Sequence, residues 1–149
     1  MGMRYIEEIL SNRVMAATFF AWILSCVIKG MLVCVRERRF DMTRFMGPGG
    51  MPSSHSTLVS ALATATGIAE GFDSTMFAIT LALALVVMYD ASGVRRAAGQ
   101  QASMINMIIE AWDENDPLEK QIKLKELLGH TPLEVFSGCI LGIAVALLV

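Results

Sequence analysis

The sequence predicts an all-α integral membrane bundle, with about four membrane-embedded helices plus an amphipathic helix at the interface. Three observations predict it. First, 54% of the 149 residues are hydrophobic and mean hydropathy is +0.55, whereas soluble domains are about 45–50% apolar even with glycine counted. Second, the apolar residues fall in long runs nearly free of charge. Third, those runs have the length a bilayer requires. A chain of this size suits one domain, so residues 1–149 read as a single membrane-embedded unit.

The first run, 14–35, would extend about 33 Å as a helix, matching a hydrocarbon core of about 30 Å; its one charge is Lys29 near the far end. A signal peptide is not expected, because Glu7 and Glu8 balance Arg4 and Arg13 and no small-residue cleavage site follows. Ile6 stands where a myristoylation signal wants Ser or Thr. Residues 36–51 form a polar loop with four arginines and the stretch Gly47-Pro48-Gly49-Gly50. Pro52 followed by Ser53-Ser54-His55-Ser56 is a helix start with serine at the cap.

The second run, 57–69, is made of Ala, Thr, Ser, Val and Leu, small residues that suit tight packing in a membrane. A turn at 70–73 joins it to a third run, 75–89, so the two form an antiparallel hairpin. After Asp90, residues 91–112 continue as helix, with Val94, Ala98, Ile105, Ile108, Ile109 and Trp112 at helical spacing. That pattern predicts the amphipathic helix. Residues 113–117 read as an acidic loop and 118–128 as a charged helix, broken by Gly129-His130-Thr131-Pro132. The last run, 133–149, starts with Glu134 and carries Gly138 and Gly142, a GxxxG spacing that favours close helix contact. Cys26, Cys34 and Cys139 all lie in apolar runs, without the spacing of a disulfide framework or a zinc site.

Counting spans gathers the chemistry on one face. Lys29, the arginine loop, the Ser-Ser-His segment, the Asp90–Arg96 segment and the His130/Glu134 pair share one side of the bundle, and both histidines of the chain start helices there. The same side carries Arg36, Arg38, Arg39, Arg44, Arg95, Arg96, Lys120, Lys123 and Lys125, against Arg4 and Arg13 on the other. The positive-inside rule then puts this face in the cytoplasm and both termini outside.

Charges at membrane depth are costly and mark functional sites. Lys29 can snorkel to the interface or contact a phosphate, and the sequence leaves both open. The arginines can anchor to anionic lipid or grip phosphate oxygens with forked donors. Helix N-termini and a glycine-rich loop, here Gly49 and Gly50, offer N–H groups to anions. Glu134 lies four residues after His130, one turn if that turn is helical, and would then orient the imidazole as a nucleophile or base.

The string Pro52-Ser53-Ser54-His55 resembles the Pro-Ser-Gly-His motif of the phosphatidic acid phosphatase type 2 superfamily. Lys29 and Arg36 keep the spacing of its first motif, with Glu37 in place of proline, and His130 and Glu134 match the second half of its third motif, with Glu for Asp. Leu124 stands where the third motif has arginine, and Ser92-Gly93-Val94-Arg95-Arg96 is a substitute from earlier in the chain. Together with Tyr89-Asp90-Ala91 and Leu128-Gly129-His130-Thr131-Pro132, these strings look like the divergent, haloperoxidase-related membrane branch.

The resemblance implies a membrane phosphatase that hydrolyses a lipid or isoprenoid phosphate or diphosphate. It makes His130 the nucleophile that forms a phosphohistidine, Glu134 its orienting partner and His55 the acid for the leaving oxygen. Lys29, Arg36, Ser53, Ser54 and one of Arg95 or Arg96 hold the phosphate. No cofactor is expected, although Asp90 beside a phosphate is a conceivable metal ligand. Membrane lipids are the expected surroundings, nothing points to nucleic acid, and a homo-oligomer joined through Gly138 and Gly142 would shield the charged site from lipid. Two other readings compete: a non-catalytic protein that binds anionic lipid or phosphorylated ligands through its basic face, and a small transporter or assembly subunit built on the hairpin.

Overall fold

The computed structural model describes residues 2–38, 50–112, 124 and 129–149. Among these, the regular elements are six helices and no strand: α1 (Gly2–Leu10), α2 (Arg13–Glu37), α3 (Ser54–Glu70), α4 (Thr75–Ser92), α5 (Val94–Trp112) and α6 (Pro132–Leu148). The cap chemistry explains where they begin. Asn12, Ser53, Ser74 and Thr131 have extended backbones, and each side chain accepts an N–H from the first turn of α2, α3, α4 and α6 respectively. Two segments, Arg13–Val35 and Thr75–Ile109, are long and apolar enough to cross a membrane, and Pro132–Leu148 is a shorter apolar helix.

Helix α3 is the centre. It packs most extensively on α6, then on α4 and α2, while α5 touches mainly α4. The packing is done by small side chains. Ala17, Ala21, Ala61, Ala65, Val145 and Ala146 form one core cluster between α2, α3 and α6; Val59, Ala63 and Ala84 form a second between α3 and α4. The large apolar side chains point outward instead: Phe19, Phe20 and Ile23 on α2, Ile79, Leu85 and Val86 on α4, Ile140 and Leu147 on α6 are all exposed. Water would not tolerate so broad an apolar surface. Lipid does, and close approach of small-residue faces is how helices associate there.

The interior of α3 is also polar. Ser56, Thr57, Ser60 and Thr66 are buried. Thr57 and Ser60 return their hydroxyls to carbonyls three or four residues back, Thr57 Oγ1 to Ser53 O at 2.9 Å and Ser60 Oγ to Ser56 O at 2.6 Å. Ser25 and Thr18 on α2 do the same. Among the described residues no buried side-chain nitrogen or oxygen lacks a partner, so the polar stripe costs little in a medium without water.

One element is new, one expected helix lies largely outside the described residues, and one expectation is corrected. Helix α1 was not anticipated; its nine residues carry no long apolar run. The charged helix at 118–128 lies outside the described residues except for Leu124, which is not helical. Its N–H and C=O both bond the side chain of Asn106, each at 2.9 Å. Finally, Gly138 and Gly142 do not present a surface for a second protomer. Both are buried against α3. A Cβ on Gly142 would overlap Thr57 O and Ser60 Oγ and sit 2.9 Å from Ala61 N; one on Gly138 would overlap Ser53 O and sit 3.1 Å from Ser56 Cβ.

Gly142→Leu is therefore expected to destabilise the fold of a single chain by about 1–3 kcal/mol or more through overpacking, with Gly142→Ala intermediate. Thermal unfolding in mild detergent measures this, and unchanged melting for both variants would mean that α3 and α6 do not meet at this point.

Candidate phosphate site

The site lies where α3 and α6 begin and where α2 and α4 approach their ends. Two main-chain hydrogen bonds tie these segments together. Ser53 N donates to Glu134 O at 3.0 Å, joining the approach of α3 to the first turn of α6. His130 N donates to Ala91 O at 3.1 Å, joining the approach of α6 to the last turns of α4. The second bond satisfies a carbonyl near a helix C-terminus, where intrahelical donors run out. Both histidines are thereby held in place by backbone, not only by side-chain packing.

The imidazoles of His55 and His130 stand edge to face, with centroids 6.4 Å apart and planes inclined by 67°. His55 is exposed and His130 is 8% exposed. His55 and Ser54 occupy the first turn of α3, where backbone N–H groups have no intrahelical acceptor. The N-termini of α3 and α6 converge here, so two positive dipole ends face the same place.

Lys29 is 2% exposed. It does not snorkel: its stem runs beside Gly50, where a Cβ would come within 3.1 Å of Lys29 Cδ. Gly50 has φ of +91°, so both its backbone and its lack of a side chain suit the approach. The peptide bond between Met51 and Pro52 is cis. Glu134 lies within coulombic reach of Lys29, so the buried cation has an anion near it.

The roles expected of two residues shift. Ser53 is fully buried, and its Oγ accepts Ser56 N at 3.3 Å and Ser56 Oγ at 3.0 Å; this hydroxyl caps α3. Glu134 is not one helical turn from His130, because α6 starts at Pro132 and Thr131 is extended. Instead Glu134 and Thr131 form a capping box: Thr131 N donates to Glu134 Oε2 at 2.9 Å, and Glu134 N donates to Thr131 Oγ1 at 3.3 Å. The Thr-Pro-Leu-Glu spelling is the sequence signal for that box.

Of the remaining expected residues, Asp90 is half-buried in the last turn of α4 and Arg96 is half-buried in the first turn of α5. Gly49 and the side chains of Arg36 and Arg95 lie outside what is described. Among the described residues no three His, Cys, Asp or Glu side chains gather as a metal site would require.

Sequence reasoning missed Asn106. It is buried on α5 and grips the main chain at Leu124, 18 residues away, on the segment that leads to His130. Nothing local announces such a partner.

Residues 10–145 match the family model described as the Divergent PAP2 family. The chain belongs to the Divergent PAP2 family. The uncharacterized membrane protein YuiD of Bacillus subtilis (strain 168) is 42% identical to it over 150 residues, covering 94% of this chain and 95% of the relative. No solved structure matches the chain significantly. The all-helical bundle with its outward-facing apolar side chains is thus that of a membrane protein of the Divergent PAP2 family.

Two substitutions separate capping from other work at Glu134. Glu134→Gln retains the capping-box geometry and is expected to keep the melting temperature, whereas Glu134→Ala loses about 1 kcal/mol. Equal losses for both, measured by thermal unfolding, would show that the charge of Glu134 matters more than the cap.

Proposed function

We propose that this protein is a membrane phosphatase that hydrolyses a lipid or isoprenoid phosphate through a phosphohistidine. The observation that carries the reading is the pair of imidazoles 6.4 Å apart at the convergent starts of α3 and α6, beside the buried Lys29. Membership of the Divergent PAP2 family supports it.

In-line displacement puts the attacking nitrogen and the leaving oxygen on opposite sides of phosphorus. The nucleophile and the acid must then flank a single phosphoryl group, which suits two imidazoles at this separation. A ring nitrogen of His130 attacks phosphorus, the bond from phosphorus to the ester oxygen breaks, and His55 delivers its proton to that oxygen. Water then attacks the phosphohistidine, His55 takes a proton from it, and inorganic phosphate leaves with His130 restored. Lys29, Ser54, the N–H groups of the first turn of α3 and one of Arg95 or Arg96 bear the charge of the transferred group.

A lipid-borne phosphate suits the surroundings. Beyond the level of Lys29, α2 exposes Met31, Leu32 and Val35, and Tyr89 and Val94 are exposed where α4 gives way to α5. The acyl or isoprenoid part of a substrate has apolar surface beside the site, and the headgroup has the cations.

The chain crosses the membrane four times, through α2, α3, α4 and α6, with the phosphate site on the cytoplasmic face. Although α3 is not among the segments apolar enough to cross alone, its packing against α2, α4 and α6 supplies its surroundings.

Purified protein in lipid vesicles, offered a panel of lipid and isoprenoid phosphates, is expected to release phosphate. His130→Ala should reduce the rate by several orders of magnitude while the protein still folds, and His55→Ala should reduce it by about 10²–10⁴-fold. Full turnover in His130→Ala would sink the nucleophile assignment. Binding of phosphate esters without release by the wild type would favour the non-catalytic lipid-binding reading.

The topology has its own test. A cysteine introduced near position 2 of intact cells should react with an impermeant maleimide, and one in the 36–51 loop should be protected. The opposite pattern would move the site to the outer face.

A further inference from the structure

Among the described residues, nothing covers one face of helix α1. No described helix makes more than a marginal contact with it. Tyr5, Ile6, Ile9 and Leu10 are all more than half exposed, and at about 100° per residue they fall on one arc. Arg4, Glu7 and Glu8 fall on the opposite arc, where Arg4 Nε meets Glu8 Oε1 at 2.9 Å.

The neighbouring structure bears on what would cover the apolar arc. The corner between α1 and α2 is built, not slack. Ser11 N donates to Glu7 O at 2.9 Å, Ser11 Oγ donates to Glu8 O at 3.1 Å, and Asn12 Oδ1 accepts Met15 N at 3.0 Å to cap α2. Immediately beyond it, α2 exposes Met15, Phe19, Phe20 and Ile23, the beginning of the lipid-facing surface. The apolar arc of α1 therefore follows directly on the exposed apolar surface of α2, and a short helix with segregated faces beside such a surface suits the interface plane.

We propose that α1 is a lipid-binding surface lying flat in the interface of the leaflet opposite the phosphate site, with Tyr5, Ile6, Ile9 and Leu10 on the acyl chains and Arg4, Glu7 and Glu8 in the aqueous layer. Lys29 follows Arg13 by 16 residues, about 24 Å of helix, so a helix that cannot sink or rise at its first end holds the buried cation at constant depth at the other. With one arginine against two glutamates, α1 binds by insertion of apolar side chains and not by attraction to anionic headgroups.

Spin labels test this directly. The background is the full chain with Cys26→Ala, Cys34→Ala and Cys139→Ala, reconstituted in vesicles of phosphatidylcholine alone, with a nitroxide placed in turn at positions 4 to 10. Power saturation should give a helical period: positions 5, 6, 9 and 10 collide with oxygen several-fold more than with an aqueous nickel chelate, and positions 4, 7 and 8 show the reverse. Uniform access to nickel would overturn the proposal, leaving α1 as a solvated helix. Protection of the apolar positions from both reagents would overturn it too, because protein, such as a second copy, would then cover the face. A profile that appears only after anionic lipid is added would overturn the apolar mode of binding.

Discussion

Where α6 crosses α3, two glycines remove the side chains that would hold the helices apart, and the rest of the molecule depends on that contact. Gly138 rests on the Ser53 carbonyl and Gly142 on the main chain of Thr57 to Ala61. With α6 seated this closely, Ser53 N reaches Glu134 O and the starts of two helices are brought to one place. The His55–His130 pair follows from the main-chain fit. A looser α6, separated from α3 by ordinary side chains, would carry His130 away together with its capping box.

The site combines two demands that usually conflict. Its polar groups must be kept out of lipid, yet any ligand from water must be able to reach them. The bundle meets the first demand by burying Lys29 and Ser53 almost completely and by returning α3 hydroxyls to their own helix. It meets the second by leaving His55 exposed at the helix start. The stem of the buried lysine packs beside the glycine turn at Gly50, and Glu134 lies within coulombic reach of it.

Much of this was readable from residue order. Helix starts were legible because they carry chemical markers: Ser53 after Pro52, and Pro132 after Thr131. Both histidines were expected at helix starts on one face, and their rings stand edge to face. Other features were ambiguous for physical reasons. A GxxxG spacing says that something comes close but not what, and α3 proved to be the partner of Gly138 and Gly142. Glu134 fits two patterns, a partner four residues after a histidine and the last member of a capping box, and an extended Thr131 decides for the box. Helix α1 is too short and too mixed to make a run. Asn106 bonds the main chain of a residue far along the sequence, and main-chain groups carry no residue-specific signal.

The modest apolarity of α3 bears on how the molecule is made. Its inward face is mostly serine, threonine and alanine, so this helix gains little by partitioning into lipid alone. It becomes comfortable only when neighbours cover that face, and its largest neighbour, α6, is the last helix in chain order. The α3–α4 hairpin is therefore fully packed only once the C-terminal helix is in place. The His55–His130 juxtaposition therefore does not exist in any chain that ends before α6, and such a chain carries the polar stripe of α3 without its main partner.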